Sequence, residues 1–197
     1  MIRIRCQTEL PLCRYEMDDY VRGLDLTVVG YTEHGEEIVL GRIEADLLLM
    51  REATDDNQPL VQICDSYSSE LIDLFIFLFE ENGFMEEISA DENTDHVLFV
   101  WRAAFHPSVR KFQSNIVNSL PNLVGNDCAV VMQRNVAELN ERELIDLGFS
   151  KLAGTDYVFR HASYLNEFMR VHPRGMEETL TYVANEEFAD WIDENWD

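Results

Sequence analysis

His96-Val-Leu-Phe-Val-Trp-Arg-Ala-Ala-Phe105, continuing as His106-Pro-Ser-Val-Arg-Lys111, is the stretch around which the rest of the chain is ordered. Its first part is a nearly unbroken run of apolar, β-branched and aromatic residues, the composition of a strand buried on both faces. The run stops at a His-Pro pair and passes straight into positive charge. Such a strand-to-helix junction is where β/α proteins hold phosphate, because helix N-termini and nearby cations both favour anions.

Downstream of the junction, the pattern predicts a short helix from about Phe112 that Pro121 cuts off, then a strand over Asp127–Gln133. A helix follows over Ala137–Leu147, with Asn140-x-x-Glu143 as a capping box and Gly148 at the position that favours a left-handed residue. A turn and a last strand fill 149–160. Residues 96–160 therefore read β-α-β-α-β. Upstream, the acidic, turn-prone stretch Glu86–Asp95 separates the halves, and a helix over Ser68–Asn82 buries Leu71, Phe75, Leu78 and Phe79, with Ile72 and Ile76 widening the stripe. Leu60–Cys64 is a short apolar segment after the turn-rich Thr54–Pro59. Leu24–Tyr31 and Ile38–Met50 predict an antiparallel hairpin, with Gly41 as a bulge or bend and Glu44 and Asp46 on one face. Arg14–Arg22 reads as a polar connector or short helix. Residues 161–197 read as an acidic helical extension, with one or two amphipathic helices expected over Met176–Glu194 whose aromatics pack on the body, the competing reading being a docking tail for a partner or a second copy. One domain over 1–160 is expected, divided into 1–95 and 96–160.

The 15 basic side chains stand against 38 acidic ones, a formal charge of −23. Such a field repels nucleic-acid backbones and anionic lipid, and it suits solubility or a basic partner. No stretch approaches the roughly 20 apolar residues of a membrane helix. Met1-Ile-Arg-Ile-Arg-Cys6 lacks the apolar core of a signal peptide, which points to a cytoplasmic protein. Cys6, Cys13, Cys64 and Cys128 show no paired spacing and read as reduced core or near-core thiols. The five histidines, with no two at ligand spacing, predict no metal site.

His106-Pro-Ser-Val-Arg110 and Leu147-Gly-Phe149 with Lys151-Leu152 resemble the "hPxxR" and "lGF-x-k" signatures of the GCN5-related N-acetyltransferase (GNAT) superfamily, in the same order and over about a third of the chain. The resemblance implies a mixed, mostly antiparallel sheet flanked by helices. It implies acetyl-CoA or another acyl-CoA as cosubstrate, with backbone from Ala103, Ala104 and Phe105 toward the pantetheine. Arg110, Lys111, Gln113, Ser114 and Asn115 would meet the pyrophosphate, and Asn135 completes the cofactor-binding set. Two departures stand out. The family's loop is glycine-rich, whereas Arg110-Lys-Phe-Gln-Ser-Asn115 has no glycine, and Leu144 stands where the family often has a proton-donating tyrosine. The central strand offers no carboxylate, so Glu44, Asp46 and His106 are the candidate general bases.

Two functions follow as expectations. The first is acyl-CoA-dependent N-acylation of an amine on a small molecule or basic protein; the second is a catalytically degenerate binding or regulatory module for a basic partner. Neither involves nucleic acid or membrane, and related folds allow a homodimer. No nucleophile-elbow motif supports a hydrolase.

Overall fold

A long central strand and a hairpin beside it organise the observed architecture. The computed structural model describes residues 2–9, 16–31, 34–80, 83–84, 94–125 and 127–162. In chain order the elements are β1 (Arg3–Thr8), β2 (Val21–Tyr31), β3 (Glu37–Leu49), α1 (Met50–Asp55), α2 (Leu60–Tyr67), α3 (Ser69–Leu78), β4 (Phe79–Glu80), β5 (Gly83–Phe84), β6 (His96–Phe105), α4 (Gln113–Ser119), β7 (Cys128–Gln133), α5 (Glu141–Asp146), β8 (Ser150–Lys151) and β9 (Tyr157–Arg160). Short 3-10 segments occupy Met17–Tyr20, Pro107–Phe112 and Leu120–Leu123.

A seven-stranded sheet runs in the order β1-β2-β3-β6-β7-β9-β8, and β4-β5 form a separate two-stranded pair. Every neighbouring pair in the large sheet is antiparallel except β6 and β7. The class is therefore α+β with a mixed, mostly antiparallel sheet. The parallel pair follows from the helical crossover between its strands, since a tight hairpin cannot join parallel neighbours.

The sheet separates two apolar cores. On one face Leu26, Ile43, Leu98, Val130 and Met132 pack with Val109, Phe112, Ile116 and Leu144. On the other, Leu48, Val97, Phe99, Ala129 and Val131 pack with Leu60, Ile63, Leu71 and Leu78 from α2 and α3. Successive residues of β6 thus enter opposite cores, which is why its sequence is continuously apolar.

The β2–β3 hairpin forms as expected. Its register slips between Val28 and Val29, opposite Gly41 and Val39, so the irregularity falls beside Gly41. Glycine is needed there for a second reason: a Cβ at Gly41 would lie 2.7 Å from the Phe105 ring and 2.9 Å from the Ala104 carbonyl oxygen. Between β3 and β6 the described residues make three helices instead of one long one. Leu60–Cys64 is the start of α2, and α3 begins at the Ser68 cap, whose hydroxyl accepts from Leu71 N–H at 3.1 Å. α3 stops at Leu78, short of Asn82. Phe79 turns extended and packs between Phe75 and Phe84, with ring centroids at 5.4 and 5.1 Å, so aromatic packing outweighs helix propensity. Ile76 is 61 % exposed and does not widen the buried stripe.

α5 is likewise shorter than Ala137–Leu147. The Asn140–Glu143 box is present in both directions, at 2.9 and 3.0 Å, and Gly148 takes φ +81°. Ahead of it, buried Ala137 and Leu139 flank Glu138 just after a turn over 134–137. Cys64 and Cys128 are buried, and burial pushes both thiols up to about 12; Cys6 is exposed, against the near-core expectation. Cys13, most of the acidic stretch 86–95 and the helices expected over Met176–Glu194 lie outside the described residues.

Candidate functional site

The central geometric fact is where β6 and β7 part. Their parallel pairing runs from His96↔Cys128 to Val100↔Met132 and goes no further, while β6 continues to Phe105 and β7 ends at Gln133. On its other side β6 stays paired with β3 through Ala103, Ala104 and Phe105. β7 ends one residue after its last pair while β6 runs on, which leaves a wedge on the β7 side of β6 beyond Val100. In open sheets, the crevice outside the carboxyl ends of parallel strands is where ligands bind.

A trough lies at the mouth of this wedge. One part, a groove of about 690 Å³, is lined by Pro107, Ser108, Arg110, Lys111, Gln113, Glu138, Asn140 and Glu143. A second groove of about 640 Å³ holds Gln133, Arg134 and Asn135 and shares Glu138 and Asn140. The volumes are those of sites for small molecules or cofactors. Arg110 is presented by the 3-10 turn that follows β6, and its guanidinium donates to Glu138 Oε2 at 3.1 Å. The turn's own amides face inward: Ser108 N–H donates to His106 Nδ1 at 3.1 Å, and Val109 N–H to the His106 carbonyl at 2.9 Å. A phosphate here would therefore meet side-chain charge more than a ring of backbone donors.

On the opposite face, one residue from the end of the parallel pairing, a carboxylate is clamped. Asp46 lies opposite Phe99, and its register neighbourhood slips between Glu44 and Ala45, which accommodates Trp101 as an extra residue. The Tyr67 hydroxyl donates to Asp46 Oδ1 at 2.7 Å and the Trp101 indole N–H to Oδ2 at 2.6 Å. Burial pushes the Asp46 carboxyl above its usual range; the two hydrogen bonds oppose this, and the negative charge of Glu44 adds to it. The same burial, with Asp46 alongside, raises the Tyr67 phenol. Across the strand stands Gly23, exposed, where a Cβ would lie 3.8 Å from Asp46 Oδ1 and 4.0 Å from the Tyr67 oxygen. Both are ordinary van der Waals distances, so Gly23 lies directly beside the clamped carboxylate.

The expected site residues thus divide. Arg110, Lys111 and Gln113 line the first groove and Asn135 the second, with Ala103, Ala104 and Phe105 along the wedge edge of β6. Ser114 and Asn115 do not line either groove; they lie on α4, beyond the turn that carries Arg110. Glu44 is exposed on the Asp46 face. His106 caps the turn, with Ser108 Oγ also 2.6 Å from Nδ1, and burial lowers its pKa, so the ring is neutral near pH 7. That cap commits Nδ1 to structure. Leu144 is buried in the first core, so a tyrosine at this position would enter the core and miss the wedge. Tyr67, Trp101 and Glu138 were not foreseen, and no local spacing marks them.

Compared with known proteins, the chain matches no family model, no curated protein and no solved structure.

Proposed function

We propose that the protein is an acyl-CoA-dependent N-acyltransferase of GNAT-like architecture acting on an amine. The observation that carries this reading is the position of Trp101. It is the first residue past the end of the β6–β7 pairing, and its indole holds the half-buried Asp46 carboxylate. The wedge and a proton acceptor thereby meet at one residue. The His106–Arg110 signature, the strand order and the trough support the same assignment.

In this scheme Arg110 and Lys111 draw the cosubstrate's phosphates to the trough, and β6 beyond Val100 orients the thioester in the wedge. The acceptor amine approaches from the Asp46 face past Gly23. Its nitrogen attacks the thioester carbonyl carbon, its proton passes to Asp46 directly or through one water, and the C–S bond breaks to release thiolate, which takes a proton from solvent. A carboxyl raised by burial is better matched to this transfer than an ordinary aspartate. A cationic acceptor suits the acidic surface.

Thermal shift and calorimetry with acetyl-CoA test the binding half, since a ligand of the native state must raise its apparent stability. Arg110→Ala should weaken binding more than Glu44→Ala. With a diamine acceptor, Asp46→Asn should lower kcat by about 100-fold or more, read from thiol release. A second reading, a binding module for a basic partner, is favoured by the inward-facing amides of Ser108 and Val109. No shift at millimolar acetyl-CoA would count against the acyltransferase reading.

A further inference from the structure

We propose that Glu138 is a built-in competitor for the anion received by the trough, restricting it to ligands that bring more than one phosphate. This rests on the acyl-CoA reading of the trough.

Glu138 Oε2 sits 3.1 Å from Arg110 Nη2, with side-chain exposures of 61 % and 69 %. The pair is open to solvent, so an incoming anion can reach it and exchange with the carboxylate. Two of the other acids that line the trough are engaged elsewhere. Glu143 accepts from the Asn140 backbone N–H at 2.9 Å as part of the helix cap, and Glu141 faces Arg134 at 3.4 Å. Glu138 is thus the carboxylate set against the cation at the phosphate end.

Its backbone is fixed there. Glu138 has φ +51°, a conformation that crowds Cβ and that non-glycine residues adopt mainly where surroundings impose it. Buried Ala137 and Leu139 hold it on both sides, and its N–H donates to the Asn135 carbonyl at 3.2 Å. The carboxylate is therefore presented to Arg110 by an anchored chain. A single-phosphate ligand gains at Arg110 little more than the pair it displaces. A diphosphate engages Arg110 and Lys111 together and overcomes the exchange.

Calorimetric titration with CoA, ADP and inorganic phosphate tests this on the full chain and on Glu138→Gln, Glu138→Gly, Arg110→Ala and the double variant Arg110→Ala/Glu138→Gln. Removing the competing charge should tighten CoA about threefold to tenfold, the range for an exposed ion pair plus local repulsion. Inorganic phosphate should gain more than CoA, so that discrimination narrows, and the double variant should show no gain over Arg110→Ala. Equal CoA affinity in wild type and Glu138→Gln, or a gain that persists without Arg110, overturns the inference while leaving the acyl-CoA reading intact. Failure of every variant to bind CoA overturns both.

Discussion

At Asp46, burial disfavours the carboxylate while the Tyr67 hydroxyl and Trp101 indole favour it, and burial prevails. A carboxyl whose folded pKa is raised contributes stability that is fully present below its unfolded value, about 3.9, and is lost as pH rises through the folded value. The stability of the wild type relative to Asp46→Asn should therefore fall as pH rises above about 4 in urea denaturation. The opposite slope would mean that the two hydrogen bonds dominate. Glu44 and Asp46 were legible as same-face neighbours because strand side chains alternate. Their setting was not, since Tyr67 and Trp101 lie 21 and 55 residues from Asp46 in sequence. Gly41 is a second residue whose need is tertiary. Gly41→Ala should destabilise by about 1–3 kcal/mol, because a backbone carbonyl 2.9 Å away cannot yield as a side-chain tip can. A lowered urea midpoint with unchanged slope is the expected result.

Among the elements, α5 shows how a correct motif can accompany a wrong boundary. The capping box named Asn140 and Glu143, yet an N-cap precedes its helix, so helix formation begins at Glu141 and leaves 137–139 outside. Asn140→Ala should cost about 1 kcal/mol, measured by denaturation. Glu138→Gly should add up to about 1 kcal/mol by relieving the positive-φ position. The long apolar pattern of α3 misled differently: Phe79 is apolar at helical spacing, but its ring is held by Phe84, a contact no periodicity contains. Leu144→Tyr should overpack the first core by about 1–3 kcal/mol, measured by denaturation.

For the whole molecule, the order of elements in 96–148 was readable because punctuation is strong there: His106-Pro107, Pro121 and Gly148 bound short, strongly patterned segments, whereas 149–160 holds two strands, β8 and β9, where one was expected. The parting of β6 and β7 was not readable, because Trp101–Phe105 is as strand-like as Val97–Val100 and only the shorter partner strand ends the pairing. A charge of −23 acts at this scale too. Raising salt shortens the screening length from about 10 Å at 0.1 M, so the melting temperature should rise between 0.05 and 0.5 M sodium chloride.

The sheet that separates the two cores is one backbone thick, and the five paired residues of β6 and β7 feed both sides in alternation. Loss of that pairing on one side withdraws alternate side chains from the other as well. The two cores are thereby coupled into a single cooperative unit instead of melting in succession. Leu26→Ala on one face and Leu71→Ala on the other should shift one shared transition, seen at the same denaturant concentration by circular dichroism and by tryptophan fluorescence.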